Sequence, residues 1–515
     1  MARAGEAGRR DRANGGPTAG GRRRAADVGG RRIERWPEPE ARTVLARRTS
    51  TEVRRRAERR VGGAGRRALP RRRPVTLARR LVAAAVFAVL IVAPAVAAER
   101  CPDCLQAGAA TINLPVPAGT PLAGYGAWAR RLTVPDFYER FTHTFWFKPH
   151  TGVLDPVVAR ALVLESPGTR VVWIAADLIA VDQSFTTRVK RRLSDAGVGA
   201  ATLVLSASHT HSGPGAFLDS ALLGAVSVDR EDPEVRDALA GAIVDVVRRA
   251  DAAKSPAHVG VLVAPGPALT TGRLGQPVDQ TLALLKIVTP TGAPIAILWN
   301  YAIHGTMLGP ANLKLSGDIM GVAAQQIERE LGAPALFVNG AVGDVSPARH
   351  GLDAMTAASR ELATAVMSSW TKIPATPRAP LRAQTMTLTM HEPRLSLRNC
   401  LASWLPPGLT IPLGRVLPSQ TELVAVGVGR TAWVTIPGEL QSGLGELVKH
   451  ASAPDWEHGL IAGVSNDYLG YFLTARDAAT PSYVACAAVY GPGAGERVAR
   501  AAAELLRRLA GGGSR

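Results

Sequence analysis

The sequence predicts an α/β fold, in which a single large domain of mixed β-sheets is flanked by helices. From about residue 105 onward, short apolar runs alternate with stretches of helical periodicity, a pattern typical of strands and helices in alternation. Several apolar runs end in polar clusters, the position at which open α/β sheets bind ligands. The 515 residues suffice for one large domain or two ordinary ones. We therefore expect one domain over residues 105–511, with a functional site at strand ends.

In the first half of this domain, continuous apolar runs predict five strands, and helical spacing predicts two helices. Their order is strands 161–165 and 170–176, helix 185–193, strand 201–205, helix 238–250, and strands 282–288 and 294–299. The first helix is amphipathic, because Phe185, Val189 and Leu193 share one face. The last two strands are expected to pair, since the Thr-, Pro- and Gly-containing segment between them is typical of a turn.

The second half of the domain is predicted in the same way. The order is helix 318–331, strand 335–338, helix 355–370, a mainly β-structured span 376–435 with a proline-rich loop at Pro406-Pro407, strands 432–436 and 460–464, and helix 495–509. The last helix carries Val498, Ala502, Leu505 and Leu509 at helical spacing. It is therefore expected to bury one face.

The net charge of +19 is a property of the N-terminal part of the chain. Residues 1–80 contain 25 Arg, no Lys and 8 acidic residues, whereas the remainder carries 36 basic and 34 acidic residues. We expect residues 1–80 to be a disordered Arg-rich extension, because they contain few large apolar side chains. The nearly neutral remainder argues against a nucleic-acid partner.

Residues 81–98 form an apolar run that follows the basic clusters 71–73 and 79–80 and ends in Ala95-Val96-Ala97-Ala98. This order is typical of a signal peptide, although 18 residues also suffice for a membrane anchor. The protein is therefore expected to be exported and to be periplasmic, secreted or membrane-anchored. In an oxidising compartment, Cys101, Cys104, Cys400 and Cys486 favour disulfides over a zinc site, with three possible pairings.

Two histidine segments follow predicted strands. His209 and His211 lie in Ser-His-Thr-His-Ser-Gly-Pro-Gly (208–215), directly after the strand at 201–205. In an extended backbone, His-x-His places both imidazoles on one face, within reach of one metal ion. The alternative is a pair of surface loop histidines. His304 follows the apolar stretch 295–302, and it is either a third ligand or a hydrogen-bonded core residue.

Two further polar residues lie at predicted strand ends. Ser346 belongs to Gly-Asp-Val-Ser-Pro (343–347), where it is either a nucleophile or a hydroxyl that caps a turn. The segment lacks the Gly-x-Ser-x-Gly pattern of the α/β-hydrolases. Glu439 follows the strand at 432–436, and with two histidines it completes the His₂Glu composition of catalytic zinc sites.

In their order along the chain, these motifs resemble the neutral (non-lysosomal) ceramidases. The resemblance rests on the segments around His209, His304 and Ser346, on Pro-Gly-Glu (437–439), on Asn-Asp-Tyr-Leu-Gly-Tyr (466–471) and on Tyr490-Gly491-Pro492. It covers residues 110 to 510 and implies a zinc-dependent amidohydrolase. It also implies that the chain lacks the family's C-terminal β-sandwich domain. The implied zinc ligands are His209, His304, Glu439 and Tyr471, and the implied catalytic residues are His211, Arg273, Tyr483 and Ser346.

From this resemblance we expect hydrolysis of the N-acyl amide bond of ceramide or a related N-acyl lipid. The expected partners are a lipid or N-acyl amide substrate and a membrane surface. An esterase or amidase acting on another exported lipid or small amide is the alternative among enzymes. A non-catalytic lipid-binding relative is the alternative from another class.

Overall fold

The strands of the computed structural model, which describes residues 105–199 and 201–512, form three larger sheets and three two-stranded ones. The strands are β1 Gln106–Asn113, β2 Val158–Ser166, β3 Thr169–Ala176, β4 Thr202–Ala207, β5 Ser255–Pro256, β6 His258–Pro265, β7 Thr270–Gly272, β8 Thr281–Val288, β9 Pro294–Tyr301, β10 Ala335–Asn339, β11 Val345–Pro347, β12 Leu381–Thr389, β13 Arg394–Ser396, β14 Thr410–Pro412, β15 Gln420–Val428, β16 Thr431–Thr435, β17 Glu439–Leu440, β18 His458–Ala462 and β19 Tyr471–Phe472.

The helices connect these strands and cover the outer faces of the sheets. They are α1 Gln183–Asp195, α2 Ala221–Leu223, α3 Pro233–Ala252, α4 Asp318–Leu331, α5 Leu352–Trp370, α6 Leu397–Cys400, α7 Ser442–Ser452, α8 Ala475–Ala479, α9 Tyr483–Cys486 and α10 Ala494–Gly511, and a π-helical turn covers Gly224–Val228. The expected α/β class with mixed sheets is confirmed. Each strand and helix predicted individually is present, and α4 has the predicted bounds.

Three sheets pack around a common apolar core. Their strand orders are β4-β3-β2-β1-β5, β10-β9-β8-β6 and β12-β15-β16-β18. The shared core contains side chains from all three sheets, among them Trp173, Leu298 and Trp433. The rings of Trp173 and Trp433 meet edge to face with centroids 5.9 Å apart, a favourable arrangement of aromatic rings. Each sheet therefore has one face in this core and its other face free for helices.

The helices bury apolar faces on the outer sides of the sheets. The predicted face of α1 (Phe185, Val189 and Leu193) is buried together with residues of α3. Helices α4 and α5 pack over the β6–β10 sheet, and α10 packs with α7 over the β12–β18 sheet. The amphipathic pattern of each helix thus determines which side it presents to its sheet.

Each larger sheet contains one parallel strand pair, and these pairs position the functional site. The pairs are β3 with β4, β9 with β10, and β16 with β18. The carboxyl ends of β4, β9 and β16 lead into the segments of His209, His304 and Glu439. In open sheets this is the edge at which ligands bind. The polar segments that follow the strands are therefore brought together.

One disulfide is present among the described residues, between Cys400 and Cys486, which joins α6 to α9. This bond settles the partner of two of the four cysteines. Cys101, Cys104, the Arg-rich extension 1–80 and the apolar segment 81–98 lie outside the described residues, so the expectations about them remain predictions. Among the helices that the structure does describe, none is long and apolar enough to span a bilayer.

Candidate metal centre and its cavity

His209 is held in place by the loop that follows β4. Its backbone N–H donates to the Leu178 carbonyl, and its φ of 67° is left-handed. The extended backbone predicted for His-x-His is therefore wrong at this residue, and the rings of His209 and His211 stand at 88° to each other. The Nδ1 atom of His209 lies 2.6 Å from the Ile179 carbonyl oxygen. A carbonyl only accepts, so Nδ1 carries a proton, and in the neutral ring this tautomer places the lone pair on Nε2.

His304 reaches the same point from β9. The loops of the two histidines are joined by a parallel bridge between Thr210 and Gly305, and the His211 N–H donates to the Gly305 carbonyl. A Cβ at position 305 would lie 2.7 Å from the His209 carbonyl oxygen. Only glycine permits this close approach, which brings the Nε2 atoms of His209 and His304 to 3.2 Å from each other.

Glu439 completes the cluster from β17. One carboxylate oxygen, Oε1, lies 3.2 Å from His209 Nε2, and the other, Oε2, lies 3.1 Å from His304 Nε2. All three side chains are buried. The strand β17 pairs in parallel with β19, with Glu439 opposite Tyr471. Three residues that are far apart in sequence therefore present their polar atoms to one point.

The donor set of this cluster fits a metal ion. In a tetrahedral zinc site with bonds of about 2.0–2.1 Å, neighbouring ligand atoms are about 3.3 Å apart, close to the observed separations. Three buried polar atoms at the cluster also make no hydrogen bond within the described part of the chain, namely Glu439 Oε2 and both ring nitrogens of His211. Buried polar groups are seldom left unpaired. The group His209, His211 and His304, with ligand atoms within 4.8 Å of one another, can bind a metal.

The charges of the cluster move the pKa values of its members. Burial alone would raise the pKa of Glu439, but the neighbouring charges of His209 and His304 hold it well below its ordinary range. Burial and the nearby Arg273 guanidinium lower the pKa of His304 to about 3. An ionised Glu439 carboxylate and a neutral His304 imidazole are therefore favoured, and these are the forms in which the two side chains bind a metal cation.

His211 lies beside the cluster with its ring free of hydrogen bonds among the described residues. Burial and the charges of His209 and His304 lower its pKa well below the ordinary value. Packing determines its orientation, because the Tyr125 ring is 4.8 Å away and a Cβ at Gly124 would lie 2.6 Å from its Nδ1. A buried neutral imidazole without a partner is able to accept a proton from a bound molecule.

Two tyrosines of the 466–471 motif contact Glu439. The Tyr468 hydroxyl donates to Glu439 Oε1 at 2.6 Å. Tyr471 faces Glu439 across the β17–β19 pair, and its hydroxyl accepts a hydrogen bond from Arg273 Nη1 at 3.3 Å. Burial and the Glu439 charge raise the pKa of both phenols well above the ordinary value. Tyr471 therefore lies beside Glu439, its role as a ligand remains a prediction, and Tyr468 orients the carboxylate.

Arg273 connects Ser346 to the cluster. Its Nε donates to Ser346 Oγ at 2.7 Å, and its backbone N–H donates to the Asp344 carbonyl beside the paired strands β7 and β11. No histidine or carboxylate contacts Ser346 Oγ through a hydrogen bond in the described ranges. The serine therefore supports the guanidinium, and no base is paired with it.

The cluster lies at the floor of a cavity of about 830 Å³, within the range of about 300–1,000 Å³ typical of small-molecule sites. Most of its wall is apolar. The polar lining residues are Tyr125, His209, His211, Arg273, Glu439, Tyr468, Tyr471 and Tyr483, and the apolar ones include Ile179, Leu218, Leu223, Val226, Val228, Met307 and Leu308. Tyr483 lies at the opening, with 75% of its surface exposed.

The structure thus brings all eight predicted site residues together, with Ser346 joined to the cavity through Arg273. Sequence reasoning missed Tyr468, although it lies in a motif that had been singled out. It also missed Tyr125 and the buried Arg130, whose Nη1 donates to the His211 carbonyl at 2.7 Å. The Gly-Tyr-Gly segment at 124–126, which leads into an arginine pair, was the available signal for these two.

Comparison with known proteins identifies similar chains. Residues 148–263 match the family model described as neutral/alkaline non-lysosomal ceramidase, N-terminal. The chain is 28% identical over 222 residues to neutral ceramidase B of Dictyostelium discoideum, an alignment that covers 38% of this chain and 31% of the relative. With neutral ceramidase of Pseudomonas aeruginosa it shares 27% identity over 213 residues, covering 37% of this chain and 31% of the relative. The aligned region spans less than a third of these relatives.

A crystal structure of neutral ceramidase from Pseudomonas aeruginosa has a similar fold, with a TM-score of 0.65 at 18% identity over 79% of this chain and 75% of that chain. A structure described as ceramidase complexed with C2 gives a TM-score of 0.64 over the same shares. At this identity the likeness concerns the fold alone. Together with the family model, it confirms the resemblance that the motifs predicted.

Proposed function

We propose that this relative of the neutral/alkaline non-lysosomal ceramidases is a zinc-dependent hydrolase that cleaves the N-acyl amide bond of ceramide or a related N-acyl lipid. The observation that carries the proposal is the buried cluster of His209, His304 and Glu439 at the floor of an apolar cavity, with polar atoms 3.1–3.2 Å apart. The curated relatives that the chain matches bear the name neutral ceramidase.

His209, His304, Glu439 and Tyr471 would hold the metal. Two neutral imidazoles and a carboxylate are the ligand types of catalytic zinc, and a nearby dication favours the phenolate form of a tyrosine. A zinc ion bound there would act as a Lewis acid that polarises the amide carbonyl and lowers the pKa of a bound water. Tyr468 would keep the Glu439 carboxylate in the orientation that binding requires.

His211 is the proposed general base and acid. Its ring nitrogens lack partners among the described residues, and the ring borders the cavity. It would take a proton from the attacking water as the new C–O bond forms. It would then give this proton to the amide nitrogen as the C–N bond breaks. The products are a fatty acid and a free amine, so that atoms and charges balance.

Arg273 and Tyr483 are the proposed hydrogen-bond donors to the carbonyl oxygen as negative charge develops on it. Both line the cavity. Ser346 would act by positioning Arg273, because its hydroxyl oxygen accepts a hydrogen bond from the guanidinium Nε at 2.7 Å. A covalent role would require a base in hydrogen-bond contact with the serine, and none is present in the described ranges.

The substrate class follows from the shape of the site. The polar residues beside His209 and Glu439 are suited to one amide, and the apolar wall is suited to an acyl chain. The test is a panel of a fluorescent short-chain ceramide, N-acyl amino acids and esters, assayed with the purified protein and metal analysis of the same sample. Release of fatty acid from the amides, with one zinc per chain, is the expected result.

The same panel separates the alternatives. Turnover of esters alone would identify an esterase, and saturable binding of the labelled ceramide without product would identify a non-catalytic relative. His211→Ala adds a second distinction, because loss of turnover with full metal content is expected of a base. If this variant also lost its metal, His211 would instead be a third histidine ligand.

A further inference from the structure

Large apolar side chains are exposed beside the opening of the cavity. Trp128, which is 82% exposed, directly follows Ala127, a residue of the cavity wall. Val226 also belongs to the wall and is half exposed. The segments that carry these two residues are close in space, because the Arg131 side chain donates to the carbonyls of Gly126 and Val226. One side of the opening is therefore formed by exposed apolar groups.

The loop after α6 supplies a second set of such groups. Leu401 and Trp404 are 74% and 82% exposed. The Cys400–Cys486 disulfide fixes this loop to α9, and Ala487, the next residue after this cysteine, lines the cavity. We call Trp128, Val226, Leu401 and Trp404 the mouth surface. Single exposed apolar residues are common on soluble proteins, but exposed apolar groups gathered around a cavity opening are typical of an interaction site.

Unpaired cations accompany the mouth surface. Lys148 donates to the Ala129 carbonyl beside Trp128, Arg131 donates to the Val226 carbonyl, and Arg398 donates to the Ser403 carbonyl beside Trp404. Within the described residues none of the three forms an ion pair with a carboxylate. Residues 397–417 contain two arginines and no acidic residue. Within the described residues, no carboxylate therefore neutralises these positive charges.

We propose that the mouth surface docks on a lipid bilayer that contains anionic lipids. Tryptophan side chains favour the membrane–water interface, exposed apolar groups gain free energy by entering it, and juxtaposed Lys and Arg attract anionic headgroups. Docking in this orientation turns the cavity opening toward the lipid, so that an acyl chain enters without crossing water. This loading role rests on the proposed function, whereas the docking itself does not.

The experiment measures binding of the full-length protein to sedimented vesicles of phosphatidylcholine with and without phosphatidylglycerol. Wild type is expected to bind the anionic vesicles more tightly and to release them as salt increases, since the electrostatic attraction is screened. The triple variant Trp128→Ser, Leu401→Ser, Trp404→Ser is expected to bind about tenfold or more weakly, because it removes apolar area from the interface. Vesicles with brominated acyl chains should quench wild-type tryptophan fluorescence.

The matched control is Leu447→Ser. Leu447 is 58% exposed, and neither it nor its chain neighbours line the cavity. This variant should bind vesicles as wild type does. The triple variant should retain its turnover of a water-soluble short-chain amide, which also reports that it folds.

The docking proposal would be overturned if wild-type protein did not bind anionic vesicles, or if the triple variant bound them as tightly as wild type does. A wild-type dimer in light scattering that the triple variant lacks would also overturn it, because the mouth surface would then bind a second copy. Vesicle binding without hydrolysis of any amide would count against the proposed function alone. If the triple variant does not fold, bromolipid quenching of the wild type still decides, since its absence contradicts insertion.

Discussion

Replacing Tyr468 by phenylalanine tests the cluster with the loss of a single oxygen atom. The Tyr468 hydroxyl donates at 2.6 Å to Glu439 Oε1, the oxygen that approaches His209. A hydrogen bond to a charged group contributes about 1.5–3 kcal/mol, and loss of such a partner typically weakens metal binding about 10–100-fold. These two figures agree, because a 10–100-fold change corresponds to about 1.4–2.8 kcal/mol. We therefore expect Tyr468→Phe to bind zinc about 10–100-fold more weakly than wild type.

The measurement is competition for zinc between the protein and a chromophoric chelator at fixed pH. Tyr490→Phe is the matched control, because the Tyr490 hydroxyl donates at 2.6 Å to the Pro418 carbonyl and does not line the cavity. It should lose some stability and no zinc affinity. Equal zinc affinity in Tyr468→Phe and wild type would refute the argument that this hydroxyl orients a metal-binding carboxylate.

Three further outcomes follow from the same geometry. His209→Ala should contain no zinc by elemental analysis and show no turnover. The control His450→Ala, at an exposed histidine, should match wild type. Zinc retained in His209→Ala would contradict the ligand assignment. Ser346→Ala should lower turnover by about tenfold, as expected for one lost hydrogen bond, whereas His211→Ala should lower it by about 10²–10⁴-fold. An acyl adduct on Ser346 in mass spectrometry would instead show that the serine is a nucleophile. Burial raises the pKa of Asp318 to about 6, so the folded protein binds this proton more tightly than the unfolded chain does. The resulting stabilisation is fully present below about pH 4 and is lost as the pH rises to about 6. Asp318→Asn should therefore flatten the fall in unfolding free energy across this window, by up to about 3 kcal/mol, and an unchanged pH profile of thermal unfolding would argue against a buried, proton-binding carboxyl.

The sequence was informative where apolar runs end in polar residues. The strand before His209 and the strand before Glu439 could be predicted from continuous apolar runs, because a buried parallel strand has no polar face. The carboxyl ends of such strands meet at one edge, so the proximity of their polar residues follows from the fold class. The motifs extended this reasoning to Tyr471, which begins the two-residue strand β19, an element too short for any periodicity to predict.

The missed features depend on loop conformation and on contacts between distant segments. Tyr468 donates to Glu439 from a loop in which Val464 and Asn466 have left-handed φ values of 52° and 66°, and no sequence pattern predicts these. Strand β1 was missed because Gln-Ala-Gly-Ala-Ala-Thr-Ile-Asn contains mostly small residues. The Cys400–Cys486 pairing could not be derived from spacing, since it depends on how α6 meets α9.

The wide spacing of the proposed metal ligands along the chain has a consequence for the order of folding. His209 and His304 are 95 residues apart in sequence, and they follow strands of two different sheets. Bringing such distant segments together carries a chain-entropy cost that local contacts do not repay, so structures of this kind form late. We therefore expect a metal ion to enter a chain whose three sheets have already assembled. Zinc uptake after dilution from denaturant would then lag behind the burial of Trp173 and Trp433, and the delay between the two signals would time the completion of the site.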